Sequence, residues 1–263
     1  MIPYLKCSHR FLVLSTLLIS TLALAQTPAI TVKNKDALRS HKRFELIEPI
    51  VDHMTWDNLL QTHVTATGEV NYKGIQEQES ELDGYLKWLS KNPPQNSWSN
   101  DELLVFWMNA YNAFTIKLIL NHYPVKSIKD IKDPWNQRFI LIGDKWYTLN
   151  DIEHRIIRKM GEPRIHFALV CAAVSCPKLF NKAFNATTLD KDLSRLTKEF
   201  LADPSKNEIS KNSVELSKIF KWYAKDFKTK DQHLIDFLNQ YTSIRIETNA
   251  KKSFKDYNWN LNE

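Results

Sequence analysis

The chain has 263 residues, 43% of them hydrophobic and 25% charged, and carries a formal net charge of +6. That length buries a full core without help from sulfur, and three cysteines are too few to frame a disulfide scaffold of this size. Lysine and arginine are dispersed among aspartate and glutamate, so the clustered basic face of a nucleic-acid binder is excluded and no nucleic-acid partner is expected.

Lys6, His9 and Arg10 give the N-terminus a basic start, and "FLVLSTLLISTLAL" follows from Phe11 to Leu24 as one uncharged, mostly apolar run. Ala23-Leu24-Ala25 supplies a small-x-small cleavage pattern, so residues 1–25 read as a secretory signal peptide. The run is short for a membrane span. The expectation is a periplasmic or secreted chain starting near Gln26, with no span after signal removal and with Cys171 and Cys176 as its two cysteines.

Residues 26–41 are polar and read as a flexible segment, and 42–263 read as a single globular domain. Phe44, Leu46, Ile47, Ile50 and Val51 make a short apolar segment broken by Pro49, and an amphipathic helix begins near Thr55. "GEVNYKGI" from Gly68 to Ile75 reads as a turn and a short extended segment. A helix over 79–90 carries Leu82, Leu86 and Leu89.

Ser99 with Glu102 forms a capping-box pattern, and Pro124 stops the run that follows, which predicts a helix of about six turns between them. Its sequence leaves almost no polar face, so it must be buried on most sides. Asn109 and Asn112 lie three residues apart within it, and a buried amide left without a partner costs about 1–3 kcal/mol. They either bond backbone or each other, or at least one faces a cleft.

"RFILIGDKWYTL" predicts a hairpin about Gly143-Asp144, and its second strand feeds into a helix over 151–160 that Gly161 and Pro163 end. Asn150 followed by Glu153 is a second capping pattern, which gives Glu153 a structural role ready made. His154 falls at the edge of the apolar face, where a core, an exposed or a catalytic histidine all fit. Residues 164–170 of "RIHFALVCAAVSCP" have the period-free apolar character of a strand covered on both faces, with Cys171 at its end. Further on, "LSKIFKWYAKDF" and "HLIDFLNQYT" are expected as helices, the first packing Ile219, Phe220, Tyr223 and Phe227 inward, and Tyr257 and Trp259 are expected to dock back onto the body. The whole is an α+β fold: a helix-rich single domain around a small sheet, with a long buried central helix and strands near Phe139, Trp146, Phe167 and Val214.

One mechanism is coherent with these residues. A thiol becomes a nucleophile when an imidazole takes its proton and a third polar group orients that imidazole. Cys171, His154 and an amide from Asn112 or Asn109 supply those types, with Glu153 as a weaker orienter because adjacent helical residues point about 100° apart. Backbone N–H groups of Ala172 and Ala173 are candidates for an oxyanion site. His166 is a reserve base, roughly 16 Å from Cys171 if the segment between them is extended. The chemistry is hydrolysis or acyl transfer on a small peptide, amide or thioester. The alternative is a non-enzymatic secreted binding module with a Cys171–Cys176 disulfide and a Trp-rich ligand surface. Five glycines form neither a phosphate loop nor a dinucleotide fingerprint, and the histidines show no zinc spacing, so no cofactor or metal is expected.

"FWMNAYNAF", "DIEHRIIR", "RIHFALVCAAVSCP", "LSKIFKWYAKDF" and "YNWNLN" together, in order from about Trp56 onward, resemble the domain-of-unknown-function family numbered 547, found in secreted bacterial proteins and in plant proteins behind coiled-coil segments. The resemblance places motif positions at Asn109, Tyr111 and Asn112, at Glu153 and His154, at Cys171, and at Ser175-Cys176-Pro177. Some members carry serine at the second cysteine, so the resemblance leans toward Cys171 as the functional sulfur. Many members have glycine after the first cysteine. Here Ala172 stands there, which speaks against a loop that needs a positive φ at that position.

Overall fold

The computed structural model describes residues 52–229 and 232–263. The expected signal peptide, the polar segment over 26–41 and the apolar segment ending at Val51 lie outside the described residues.

Three helices form one side of the domain. In α1 (Met54–His63), Trp56, Leu59, Leu60 and His63 recur at helical spacing and are buried. The stretch expected to be extended after Gly68 pairs only at Val64 and Val70, and then forms a short helix, α2 (Tyr72–Glu77), whose N-terminus is capped by the Asn71 side chain accepting from the Gly74 N–H. Gly68 has a φ of +92°, and a Cβ on it would collide with Lys178, so this turn can press against the chain just past Cys176 only because the residue is glycine. The third helix, α3 (Glu79–Lys91), buries Leu82, Tyr85, Leu86 and Leu89.

The central helix α4 (Asn100–Leu120) starts with the expected reciprocal capping box: Ser99 Oγ accepts from the Glu102 N–H, and the Glu102 carboxylate accepts from the Ser99 N–H. It has the length and apolarity of a membrane-spanning helix, yet its side chains from Leu104 to Leu120 are buried inside the protein with the exception of Lys117. A continuous apolar sequence here means burial on all sides by protein.

The hairpin forms as its turn dictates, with β1 (Ile140–Ile142) and β2 (Lys145–Tyr147) antiparallel about Gly143, whose φ is +62°. A second sheet combines β3 (Glu208–Ile209), β4 (Ser213–Leu216) and β5 (Lys251–Phe254). In it β3 and β4 pair antiparallel and β4 and β5 parallel, with Val214 opposite Lys252. In the chain α5 (Leu189–Ala202) comes between the two sheets, while the single turn α6 (Ile219–Trp222) and α7 (Leu234–Tyr241) come between β4 and β5. The helix expected over "LSKIFKWYAKDF" thus ends early, although Ile219, Phe220 and Phe227 are buried as expected and Tyr223 is half-buried.

The expected strand through Ile165–Val170 is absent. Residues Pro163–Phe167 form a 3-10 turn, which Pro163 starts and the Glu162 side chain caps by accepting from the Arg164 N–H. The segment reads as featureless and apolar because it is buried from every direction. Ile165, Ala168, Leu169 and Val170 enter the core around α4, while Phe167 enters a second core with Phe200, Phe220, Phe227 and Phe237. A wedge between two cores and a strand buried on two faces have the same composition, and periodicity does not separate them.

The C-terminal tail ties these parts together. Val70 N–H donates to the Asn262 carbonyl at 2.9 Å, Val174 N–H to the Asn260 carbonyl at 2.8 Å, Ser175 N–H to the Asn258 carbonyl at 3.1 Å and Leu261 N–H to the Lys126 carbonyl at 2.8 Å. Tyr257 and Trp259 pack on each other with ring centroids 4.6 Å apart, and Leu261 is buried. Deleting residues 255–263 is expected to cost on the order of 4 kcal/mol, from two half-buried aromatics and one buried leucine. That corresponds to a fall of roughly 10 °C in Tm for a domain of this size. Differential scanning calorimetry measures it, and an unchanged Tm refutes the docking.

Candidate active site

Cys171 and Cys176 close a tight loop. The Cys176 N–H donates to the Ala173 carbonyl at 2.9 Å, and Ala172 adopts a φ of +53°. The left-handed conformation is therefore kept with alanine in place of glycine, contrary to the expectation from the residue type. Both cysteines are free, Cys171 half-buried and Cys176 buried. The Cys171 thiol donates to Cys176 Sγ at 2.7 Å, the Cys171 N–H donates to the same sulfur at 2.8 Å, and the Tyr257 hydroxyl lies 3.2 Å from Cys171 Sγ. Its bond to Cys176, together with burial, pushes the Cys171 thiol well above the usual range. Burial acts the same way on Cys176, but the two donors from Cys171, with Tyr257 and the Lys206 charge, outweigh it and hold this thiol below its ordinary value. A negative charge on the pair therefore resides on Cys176.

A cavity of about 100 Å³ adjoins the two sulfurs. Glu153, His166 and Tyr223 are on its wall, and Trp222, Tyr257 and Trp259 surround it as an aromatic cluster in which Trp222 is 47% exposed.

Each residue expected at the site has a defined place. Asn109 and Asn112 do not orient a histidine. Asn109 Nδ2 donates to the Phe184 carbonyl and Asn109 Oδ1 accepts from the Phe184 N–H, both at 3.0 Å. Asn112 Nδ2 donates to the Ala168 carbonyl at 3.0 Å, and Asn112 Oδ1 accepts from the Val170 N–H at 3.1 Å. Of the two readings of these amides, the backbone one holds.

Glu153 does not close a capping box with Asn150, whose side chain bonds Asn136 instead. Thr148 and Asp151 cap this helix: Thr148 Oγ1 accepts from the Asp151 N–H at 2.9 Å, and Asp151 Oδ2 accepts from the Thr148 N–H at 3.0 Å. The same Thr-x-x-Asp signal stands in the sequence two residues earlier. Residues Asp151–Ile156 then form a π-helical turn, and Glu153 turns inward, where its carboxylate accepts from the Tyr111 hydroxyl at 2.9 Å and the Tyr223 hydroxyl at 2.6 Å. Burial first, and the Glu153 charge second, push both tyrosines well above their ordinary range, so they remain donors.

His154 is not brought to the sulfur. Among the described residues the hydrogen-bond partners of Cys171 Sγ are Cys176 and Tyr257, while His154 Nδ1 accepts from Arg158 at 3.0 Å. The reserve base His166 is the histidine on the cavity wall, because the 3-10 turn shortens the path that an extended strand would have kept long. His166 Nε2 lies 2.8 Å from Asp226 Oδ2, and Arg158 grips the same carboxylate with Nε at 2.6 Å and a terminal nitrogen at 2.7 Å. In the neutral ring with Nε2–H donating to Asp226, Nδ1 of His166 is the acceptor. The ring is stacked on Tyr223 at a centroid distance of 4.0 Å. Tyr223, Asp226 and their contacts were not legible as site residues, since they come from an irregular stretch after α6 with no motif spacing. Among the described residues no group of three or more His, Cys, Asp or Glu side chains is arranged to hold a metal.

Residues 95–201 match a family model. Its description is "Protein of unknown function, DUF547". The DUF547 match covers the cysteine loop, α4, Glu153 and His166, and stops before Tyr223, Asp226 and Tyr257. No curated protein and no solved structure matches the chain.

Two predictions follow from the geometry of the site. A β-branched side chain in the left-handed region is strained and overpacks a buried site, so Ala172→Val is expected to cost about 2 kcal/mol or more while Ala172→Gly stays within about 1 kcal/mol, as read by urea unfolding. Burial raises the Asp226 carboxyl, but hydrogen bonds from His166 and Arg158 outweigh it and hold it well below the usual range. A depressed carboxyl stabilises the fold above the unfolded value near pH 4 and loses that contribution as pH falls below it. Asp226→Asn is therefore expected to have a lower Tm than the parent at neutral pH, with the gap narrowing from about pH 4 downward; a gap independent of pH contradicts the pairing.

Proposed function

We propose that this chain is a thiol-dependent hydrolase or acyltransferase that acts on a small amide, peptide or thioester, with Cys171 as nucleophile. The observation that carries the reading is the placement on one small cavity of a half-buried sulfur, Cys171, and an imidazole, His166, whose other face is held by Asp226. With Cys176 as the thiolate, Cys171 attacks the substrate carbonyl carbon and its S–H proton passes to Cys176 Sγ, the acceptor 2.7 Å away, which becomes the neutral thiol. Through His166 the proton then returns to the leaving nitrogen or sulfur, as the acyl group stays on Cys171. Water, deprotonated by His166, or a second acceptor releases the acyl group. The N–H groups of Ala172 and Ala173 have no acceptor among the described residues, and both residues are buried, which supports their use as donors to the oxyanion. His154 is a positioning residue in this scheme, linked to Asp226 through Arg158. Export to the periplasm or beyond is part of the proposal and is supported by the signal-peptide pattern of residues 1–25.

Small thioesters and short peptide amides such as glutathione are the probes, assayed under reducing conditions. Cys171→Ser and His166→Ala are each expected to lower kcat/KM by at least about 100-fold, while His154→Ala lowers it less. Turnover that persists in Cys171→Ser, or a His154→Ala loss exceeding that of His166→Ala, overturns the assignment.

A further inference from the structure

The two sulfurs meet an independent requirement. A disulfide needs Cα atoms within about 7 Å and side chains that converge. The loop turns back on itself through Ala172 and the bond from the Cys176 N–H to the Ala173 carbonyl, and the sulfurs already lie 2.7 Å apart as free thiols. Bridge formation therefore needs the two sulfurs to close by less than about 1 Å. Access is unequal: Cys171 is half-buried beside the cavity and Cys176 is 4% exposed. The cavity's 100 Å³ holds about three waters' worth of volume, enough for a slim sulfur-bearing arm and too little for a folded partner.

We propose that Cys171 and Cys176 form a modification site at which a small disulfide oxidises the pair reversibly to an intramolecular disulfide. Starting from the Cys171 thiol and the Cys176 thiolate, Cys171 attacks one sulfur of the incoming disulfide, R–S–S–R, while its proton moves to Cys176 Sγ. The S–S bond of the reagent breaks, the first R–S⁻ departs and Cys171 carries a mixed disulfide. Cys176 then gives its proton to that departing thiolate and attacks Cys171 Sγ, which forms the intramolecular bond and expels the second R–S⁻. Two electrons pass from the protein pair to the reagent, which leaves as two thiols or thiolates, and an excess of small thiol reverses the sequence. The order is set by access, since Cys171 meets the reagent and Cys176 resolves. Loss of the nucleophile on bridging rests on the assignment of Cys171 above; bridging itself does not.

The reduced full chain is incubated with oxidised glutathione, quenched in acid, alkylated and digested with trypsin. Both cysteines fall on one peptide, residues 165–178. The expected product is that peptide lighter by two hydrogen atoms and unalkylated, restored by reduced glutathione. Cys176→Ser is expected to accumulate one glutathione adduct on Cys171, and Cys171→Ser to react at least about tenfold more slowly, because its remaining thiol is buried. A wild-type peptide with two alkylated thiols or with two glutathione adducts overturns the proposal, as does a Cys171→Ser variant that reacts as fast as Cys176→Ser. Hydrolysis measured on the same samples separates the two readings. A bridge that forms without loss of turnover overturns Cys171 as hydrolytic nucleophile only, and turnover abolished by Cys171→Ser in a chain that never bridges overturns the modification site only.

Discussion

Two asparagine amides on the central helix do the work that a sheet would do elsewhere. The segments around Phe184 and Ala168–Val170 are irregular and buried, so their N–H and C=O groups have neither a ladder nor water to bond. Asn109 and Asn112 each offer one donor and one acceptor at the right separation, and each closes a pair of bonds with one of these segments. The Asn112 clamp ends at Val170, the residue before Cys171. The position of the sulfur thus depends on an amide in the middle of α4, which explains why the buried stretch of this helix tolerates the cost of holding two asparagines.

That arrangement was half legible in the sequence. Helical periodicity and capping signals located α1, α3 and α4, and the Gly143 turn located the hairpin, because these are local rules expressed within a few residues. The segment 164–170 was misread because being buried from all sides erases the period that distinguishes a strand from a turn. The misreading had a direct chemical consequence, since an extended chain would have carried His166 away from Cys171. Glu153 was misassigned for a different reason: Asn150 and Thr148 offer the same capping signal two residues apart, and only the competition between them decides which acid is released to the interior. Tyr223, Asp226 and Tyr257 joined the site through tertiary packing alone.

The two carboxylates of the site are held in opposite manners. Asp226 is gripped by a guanidinium and an imidazole, so its charge is balanced in place and it serves to orient His166. Glu153 receives two phenolic hydroxyls, neutral donors that satisfy its oxygens without cancelling its charge. Tyr223 touches both groups, bonding Glu153 through its hydroxyl and stacking on His166 through its ring, while the Arg158 guanidinium sits 5.0 Å above that ring. A change at Tyr223 alters the surroundings of Glu153 and His166 together.

The tail contacts also fix the order in which the molecule can be assembled. Ser175 and its partner Asn258 are 83 positions apart, and Val174 waits in the same way for Asn260. At ordinary elongation rates that gap corresponds to roughly 4–17 s between synthesis of the cysteine loop and synthesis of the tail that braces it. The helical body can condense on the growing chain, but the sulfur-bearing loop takes its final form only when residues 257–262 arrive. The cysteine loop is therefore braced only after these residues have been added.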